Sequence, residues 1–196
     1  RPEYKALIPV SEKKGDWNWG NVQSAGGCCL VVGDELWFYV SGRAGVEGGG
    51  KKSGVSCTGL AVLRRDGFAS MDAPASGDEG ELTTRPLKFQ GEHLFVNAKV
   101  DSSGGTLRAE VLDREGKVLT GFAENDCEPV NADGTKLMVQ WKGGKDLGAL
   151  AGKVVRFRFV LQKGSLYSFW IADDENGKSR GYVGAGGPGF VTDRDL

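Results

Sequence analysis

Residues 159–182 read F-V-L-Q-K-G-S-L-Y-S-F-W-I-A-D-D-E-N-G-K-S-R-G-Y, and the periodicity of this stretch decides the fold class. Polar and bulky residues alternate with period two, break at Lys163-Gly164, and resume through Leu166, Tyr167, Phe169 and Trp170. Two strands joined by a tight turn are expected, a hairpin whose second strand is rich in aromatics. Working backward, further strand-like segments stand at E-L-T-T (81–84), P-L-K-F (86–89), H-L-F-V-N-A-K-V (93–100), T-L-R-A-E-V-L-D (106–113), K-L-M-V-Q-W (136–141) and V-V-R-F-R-F-V-L (154–161). Short strands at regular spacing with turns between them predict an all-β chain, here an antiparallel, jelly-roll-like β-sandwich.

Two segments display their faces. Leu107, Ala109 and Val111 point one way and Arg108, Glu110 and Leu112 the other, so one face is expected to be largely solvated. Val155, Phe157 and Phe159 share a face opposite Arg156 and Arg158. The expected core comprises Leu94, Val96, Leu107, Val111, Val139, Trp141, Phe157, Phe159, Phe169 and Trp170. The one helix-like piece is D-L-G-A-L-A-G (146–152), a single turn at most because two glycines interrupt it.

Upstream of the sandwich, C-C-L-V-V, then Gly33-Asp34, then E-L-W-F-Y-V-S read as a hairpin, followed by a Gly/Lys-rich loop at 45–54 and the strand T-G-L-A-V-L-R. Residues 1–65 therefore make a blade-like β segment. Residues 66–80 are rich in small and turn-forming residues and mark the boundary, so 66–172 is the sandwich domain and 173–196 an irregular Gly-rich tail. So few strands in 1–65 would leave an edge and an apolar face open. Leu30, Val32, Leu36, Phe38 and Val40, with Trp17 or Trp19, are expected to be covered by the sandwich, by residues 184–190, or by a second copy of the chain.

Composition narrows the classes of function. The chain has 196 residues, enough for a self-sufficient core, and its 32 Gly against 6 Pro fall between apolar runs as turn residues. A formal net charge of −1 with dispersed Lys and Arg argues against nucleic acid, and no apolar run approaches a membrane span. The start at Arg1, with strand-like residues at once, reads as a cut-out piece or a chain that has lost a leader. A secreted or periplasmic location is expected. Cys28, Cys29, Cys57 and Cys127 show no C-x-x-C and only one His accompanies them, so no metal site and no cofactor is expected. Buried free thiols are the simpler reading, and a disulfide from the Cys28-Cys29 pair to Cys57 or Cys127 stays open.

Candidate binding residues lie in G-D-W-N-W-G-N (15–21). If extended, Trp17 and Trp19 share a face beside Asp16 and Asn21, and a sugar site pairs aromatic platforms with carboxylates and amides. The competing reading packs both indoles against a neighbouring module. His93 starts an apolar strand without a nucleophile partner and reads as structural. Asp173, Asp174, Glu175 and Asn176 lack the spacing of a calcium loop, and adjacent acids elsewhere read as solvated turns, so no catalytic residue is assigned.

The segments G-N-V-Q-S (20–24), G-D-E-L-W-F-Y-V-S-G-R (33–43), G-L-A-V-L-R-R-D-G-F-A-S (59–70), E-L-T-T-R-P-L (81–87), L-F-V-N-A (94–98), W-K-G-G-K-D-L (141–147), L-A-G-K-V-V-R-F-R-F (150–159) and S-R-G-Y (179–182) resemble the C-terminal part of bacterial proteins related to glycoside hydrolase family 32. The resemblance implies a five-bladed propeller followed by a β-sandwich, with residues 1–65 as the last blade and the nucleophile and general acid on earlier blades. It implies a non-catalytic portion that supports the propeller and contacts carbohydrate. An autonomous lectin-like module and a small complete glycosidase are the alternatives. Expected partners are carbohydrate and either the missing N-terminal blades or a second copy of the chain.

Overall fold

Alternation becomes antiparallel strand throughout the computed structural model, which describes residues 5–25, 29–44 and 55–196. Among them are eleven strands, two single-turn 3-10 helices (Glu124–Asp126 and Gly148–Leu150) and no α-helix, so the chain is all-β. It divides into two compact units, one of Arg1–Arg65 with Tyr182–Arg194, the other of Asp66–Gly181 with Asp195–Leu196.

In the larger unit, β6 (Gly80–Thr83), β10 (Arg156–Gln162) and β8 (Thr106–Leu112) form one sheet, in that order. The second sheet runs β5 (Met71–Asp72), β11 (Gly164–Ala172), β7 (His93–Val100), β9 (Asp133–Val139). Their inner faces share a single core in which Leu94, Val96, Leu107, Val111, Val139, Trp141, Phe157 and Phe159 are buried. Phe169 of β11 packs on Phe157 and Phe159 of β10 with ring centroids 5.9 and 5.1 Å apart, so aromatic contact joins the two layers. Phe122 meets Trp141 edge-on at 5.2 Å, and the Trp141 Nε1–H donates to the Ala109 carbonyl at 3.1 Å.

The break at Lys163-Gly164 is not a hairpin. β10 pairs with β6 and β8, and β11 with β5 and β7, so two strands adjacent in sequence belong to opposite layers. Lys163 takes a positive φ of 48°, and a Cβ on Gly164 would lie 2.7 Å from the Lys99 carbonyl oxygen. The chain turns a corner between sheets there, a change of layer that needs a left-handed residue and then one without a side chain. Trp170 is corrected too. Adjacent residues of a strand face opposite ways, so while Phe169 enters the core, Trp170 lies outside, stacked on Phe95 at 5.6 Å with its Nε1–H donating to the Gly177 carbonyl at 3.0 Å.

The outer face of β8 is less solvated than its alternation implied, since Glu110 and Leu112 are both buried. Residues 113–126 fold back over it: Leu119 donates its N–H to the Val111 carbonyl at 2.9 Å and Val111 to that of Phe122 at 3.1 Å. The Glu110 carboxylate is satisfied by the Arg158 guanidinium and by the Glu124 N–H at 3.0 Å, as a buried charge requires. The segment P-L-K-F reduces to one bridge, Leu87 with Val155. Cys127 is buried and free, and burial pushes its thiol above the usual value. Cys29 and Cys57 are free and half-buried, while Cys28 lies outside the described residues.

In the smaller unit, β3 (Glu35–Ala44) pairs along its whole length with β4 (Val55–Arg64). Its other edge takes β1 (Asn21–Ala25) near Arg43 and β2 (Leu30–Val32) near Leu36, so the three rails form a meander. The expected two-residue hairpin at Gly33-Asp34 is present, with Val32 opposite Glu35 and Gly33 at φ 58°. One face carries a small core of Val31, Leu36 and Val183, flanked by Cys29, Phe38, Leu63 and Phe190. The Gly-rich tail, one of the three expected covers, packs on this cluster. Ala185 donates its N–H to the Cys29 carbonyl at 3.2 Å, and Val31 donates to Gly186 at 2.7 Å. A Cβ on Gly187 would lie 1.8 Å from the Val31 carbonyl oxygen, so only glycine permits this approach. The phase of β2 is shifted by one residue from expectation: Val31 faces inward opposite Leu36, while Leu30 and Val32 face outward.

Candidate functional site

The segment 15–21 turns rather than extends. Asp16 donates its N–H to Lys13 and Trp19 donates to Asp16, at 3.2 and 3.1 Å, so the period-two argument for a shared Trp17 and Trp19 face does not apply. One face of the Trp17 indole lies on Gly42 and Gly59, where a Cβ would come within 2.6 and 2.5 Å of the ring. Those glycines form a floor on the covered side of the meander, beyond Val40. The Asp16 carboxylate accepts the Ser11 hydroxyl at 2.6 Å. Trp19 is half-buried. Asn21 goes elsewhere: paired directly with Arg43, it shares the opposite, open face of the sheet, and its Oδ1 is buried without a hydrogen-bond partner.

That open face is built by the outward phase of the same strands. From β3 it receives Glu35, Trp37, Tyr39, Ser41 and Arg43, since Leu36, Phe38, Val40 and Gly42 point the other way. Across β3, Trp37 stands opposite Leu30 and Val62, Tyr39 opposite Leu60, Ser41 opposite Thr58, and Arg43 opposite Asn21 and Ser56. Tyr39 is 51% exposed, Leu60 43% and Val62 50%, so this is bare surface, whereas Trp37 is half-buried. The Trp37 Nε1–H donates to the Glu35 carboxylate at 2.8 Å, which fixes the indole. Two aromatics two residues apart on a hydrogen-bonded sheet offer a rigid, flat, amphipathic surface about 7 Å between Cα atoms. Sequence reasoning passed over it, although W-x-Y in antiphase to L-x-F-x-V was readable as a strand with no ordinary polar side.

The larger unit contains a cleft of about 480 Å³ lined by Glu92, His93, Glu128, Trp141, Lys142 and Glu175 among others. Its Trp141 is buried and offers no ring face. Lys142 is turned to the Asn125 carbonyl at 2.9 Å, and Lys145 to that of Thr120 at 3.0 Å. The acids at 173–176 are engaged locally, Asp173 with Arg180 and Asp174 with the Asn176 N–H at 2.9 Å. Among the described residues no group of three or more His, Cys, Asp or Glu could hold a metal ion.

No family model matches the chain, and neither a curated protein nor a solved structure is significantly similar to it. No helix among the described residues is long and apolar enough to cross a membrane.

Proposed function

We propose that this chain is a non-catalytic, glycan-contacting portion of a larger carbohydrate-acting protein, and that the open face of the meander is its sugar-contacting surface. The observation that carries the reading is the Trp37-Tyr39 row: two aromatics in register on one strand, one of them half exposed, bordered by the exposed Ser41 and Thr58. Sugar rings present apolar C–H faces and a rim of hydroxyls, and such a row supplies the matching apolar faces and polar rim. The likeness of segments along the chain to proteins related to glycoside hydrolase family 32 points the same way. Of the residues first singled out, Asn21 is paired on this side of the sheet, Trp17 packs on the covered side, and Asp16 is taken up by Ser11.

The exposed aliphatics Leu60 and Val62 favour a second reading, in which the face docks on a preceding blade of the same parent protein. Affinity electrophoresis through gels of different polysaccharides separates the two. The first reading expects retardation by at least one glycan, lost in Trp37→Ala and Tyr39→Ala variants of unchanged thermal stability, with no hydrolysis of that glycan. Absence of retardation in all gels, with the added upstream segment binding this face, would establish the second.

A further inference from the structure

The open face is not uniform along its length. At the β2 end, the Glu35 carboxylate is held by Trp37 and stands opposite Arg64. At the other end, Arg43 is half-buried and makes no ion pair among the described residues. Its cross-strand neighbours are Ser56, whose side chain is exposed, and Asn21, whose Oδ1 is buried. Among the described residues, Arg43 is thus the guanidinium of this face that stands apart from its carboxylate, roughly 13 Å along β3 from Tyr39. A planar guanidinium fork beside a serine hydroxyl matches a carboxylate on a hydroxylated ring, which a bare ammonium would match less well.

We infer that the glycan taken by this face carries carboxylate groups, a polyuronate, and that Arg43 is the residue that selects them. The inference rests on the platform reading above: the aromatics hold the ring faces of an extended chain laid along β3, and Arg43 meets a carboxylate farther along the same chain. Aromatic contact sets whether a sugar chain binds, and Arg43 sets which one.

Calorimetric titration with oligogalacturonate and its fully methyl-esterified counterpart tests this, using the whole chain, Arg43→Gln and Trp37→Ala. The acid is expected to bind about ten- to hundredfold tighter than the ester, as a charge-assisted pair implies. That preference should disappear in Arg43→Gln with ester binding retained, and shrink in about 0.5 M salt. Trp37→Ala should lose both ligands. Equal binding of acid and ester, or a preference that survives Arg43→Gln, overturns the inference and leaves the platform intact. Binding unaffected by Trp37→Ala overturns the platform itself. If neither uronate binds while a neutral glycan does so through Trp37, the inference fails and the platform stands.

Discussion

The sandwich and the meander solve one problem in different ways. Each β10 residue that faces inward in the sandwich meets a second sheet, so Phe157, Phe159 and Phe169 close the core with side chains alone. Among the described residues, the meander has no second sheet within its unit. Its covered face is closed piecemeal, by Trp17 on a glycine floor and by the tail segment around Val183 and Phe190, and its other face is left open. A sheet closed by a sheet needs complementary volumes, whereas a sheet closed by a strap needs backbone to come close, which is why glycines stand where the meander is covered.

The sharpest break of this contrast is Phe157→Ala. The side chain is fully buried, so transfer and cavity terms together are expected to cost about 3–5 kcal/mol in denaturant unfolding of the sandwich, with amide protection around Val31 unchanged. A loss under about 1 kcal/mol would show that the inner faces are wrongly assigned. Gly187→Ala should do the reverse. Its methyl would collide with the Val31 carbonyl, so the strap should lift, and hydrogen exchange at Val31 and Ala185 should accelerate while β7 and β10 keep their protection. The expected loss is about 1–3 kcal/mol, confined to the meander. Unchanged exchange at Val31 would mean that the strap is decoration.

The smallest effect sharpens the edge of the sandwich. The Ser165 hydroxyl, and after it that of Ser70, holds the Asp72 carboxyl below the usual carboxylate value where β5 meets β11. A depressed carboxyl stabilises the fold above its unfolded-state value, and that contribution fades as pH falls through the lower folded value. Ser165→Ala should therefore raise the Asp72 midpoint in an NMR titration and flatten the acid side of the stability curve slightly. A midpoint that stays put would remove β5 from the ladder.

Much of this was legible because alternation is local. Val155, Phe157 and Phe159 against Arg156 and Arg158 fixed a face unaided, and Gly33-Asp34 announced its hairpin. Pairing is not local, and there the reading went astray. A turn residue before a glycine looks the same in a hairpin and at a corner, so Lys163-Gly164 could not reveal that β10 and β11 part company. The run C-C-L-V-V has no polar phase, so only its pairing with Leu36 shows that Val31 faces in. Glu110 looked solvated because nothing in T-L-R-A-E-V-L-D reports the loop that folds over it. The floor under Trp17 is made by Gly42 and Gly59, glycines that sequence alone would assign to weakened strands.

The strap also orders events in time. Val31 and Gly186 are bonded across the whole intervening sandwich sequence, so the meander is begun before the sandwich is made and finished only after it. At about 5–20 residues per second, roughly 6–24 s separate synthesis of Arg65 from that of Val183. Through that interval the β2 edge and Val31, Leu36 and Phe38 await their partner, while the sandwich already has all its strands once Ala172 has emerged. An unfinished chain is therefore most vulnerable to strand addition and to chaperone capture in the meander, and that vulnerability ends when a few glycines arrive.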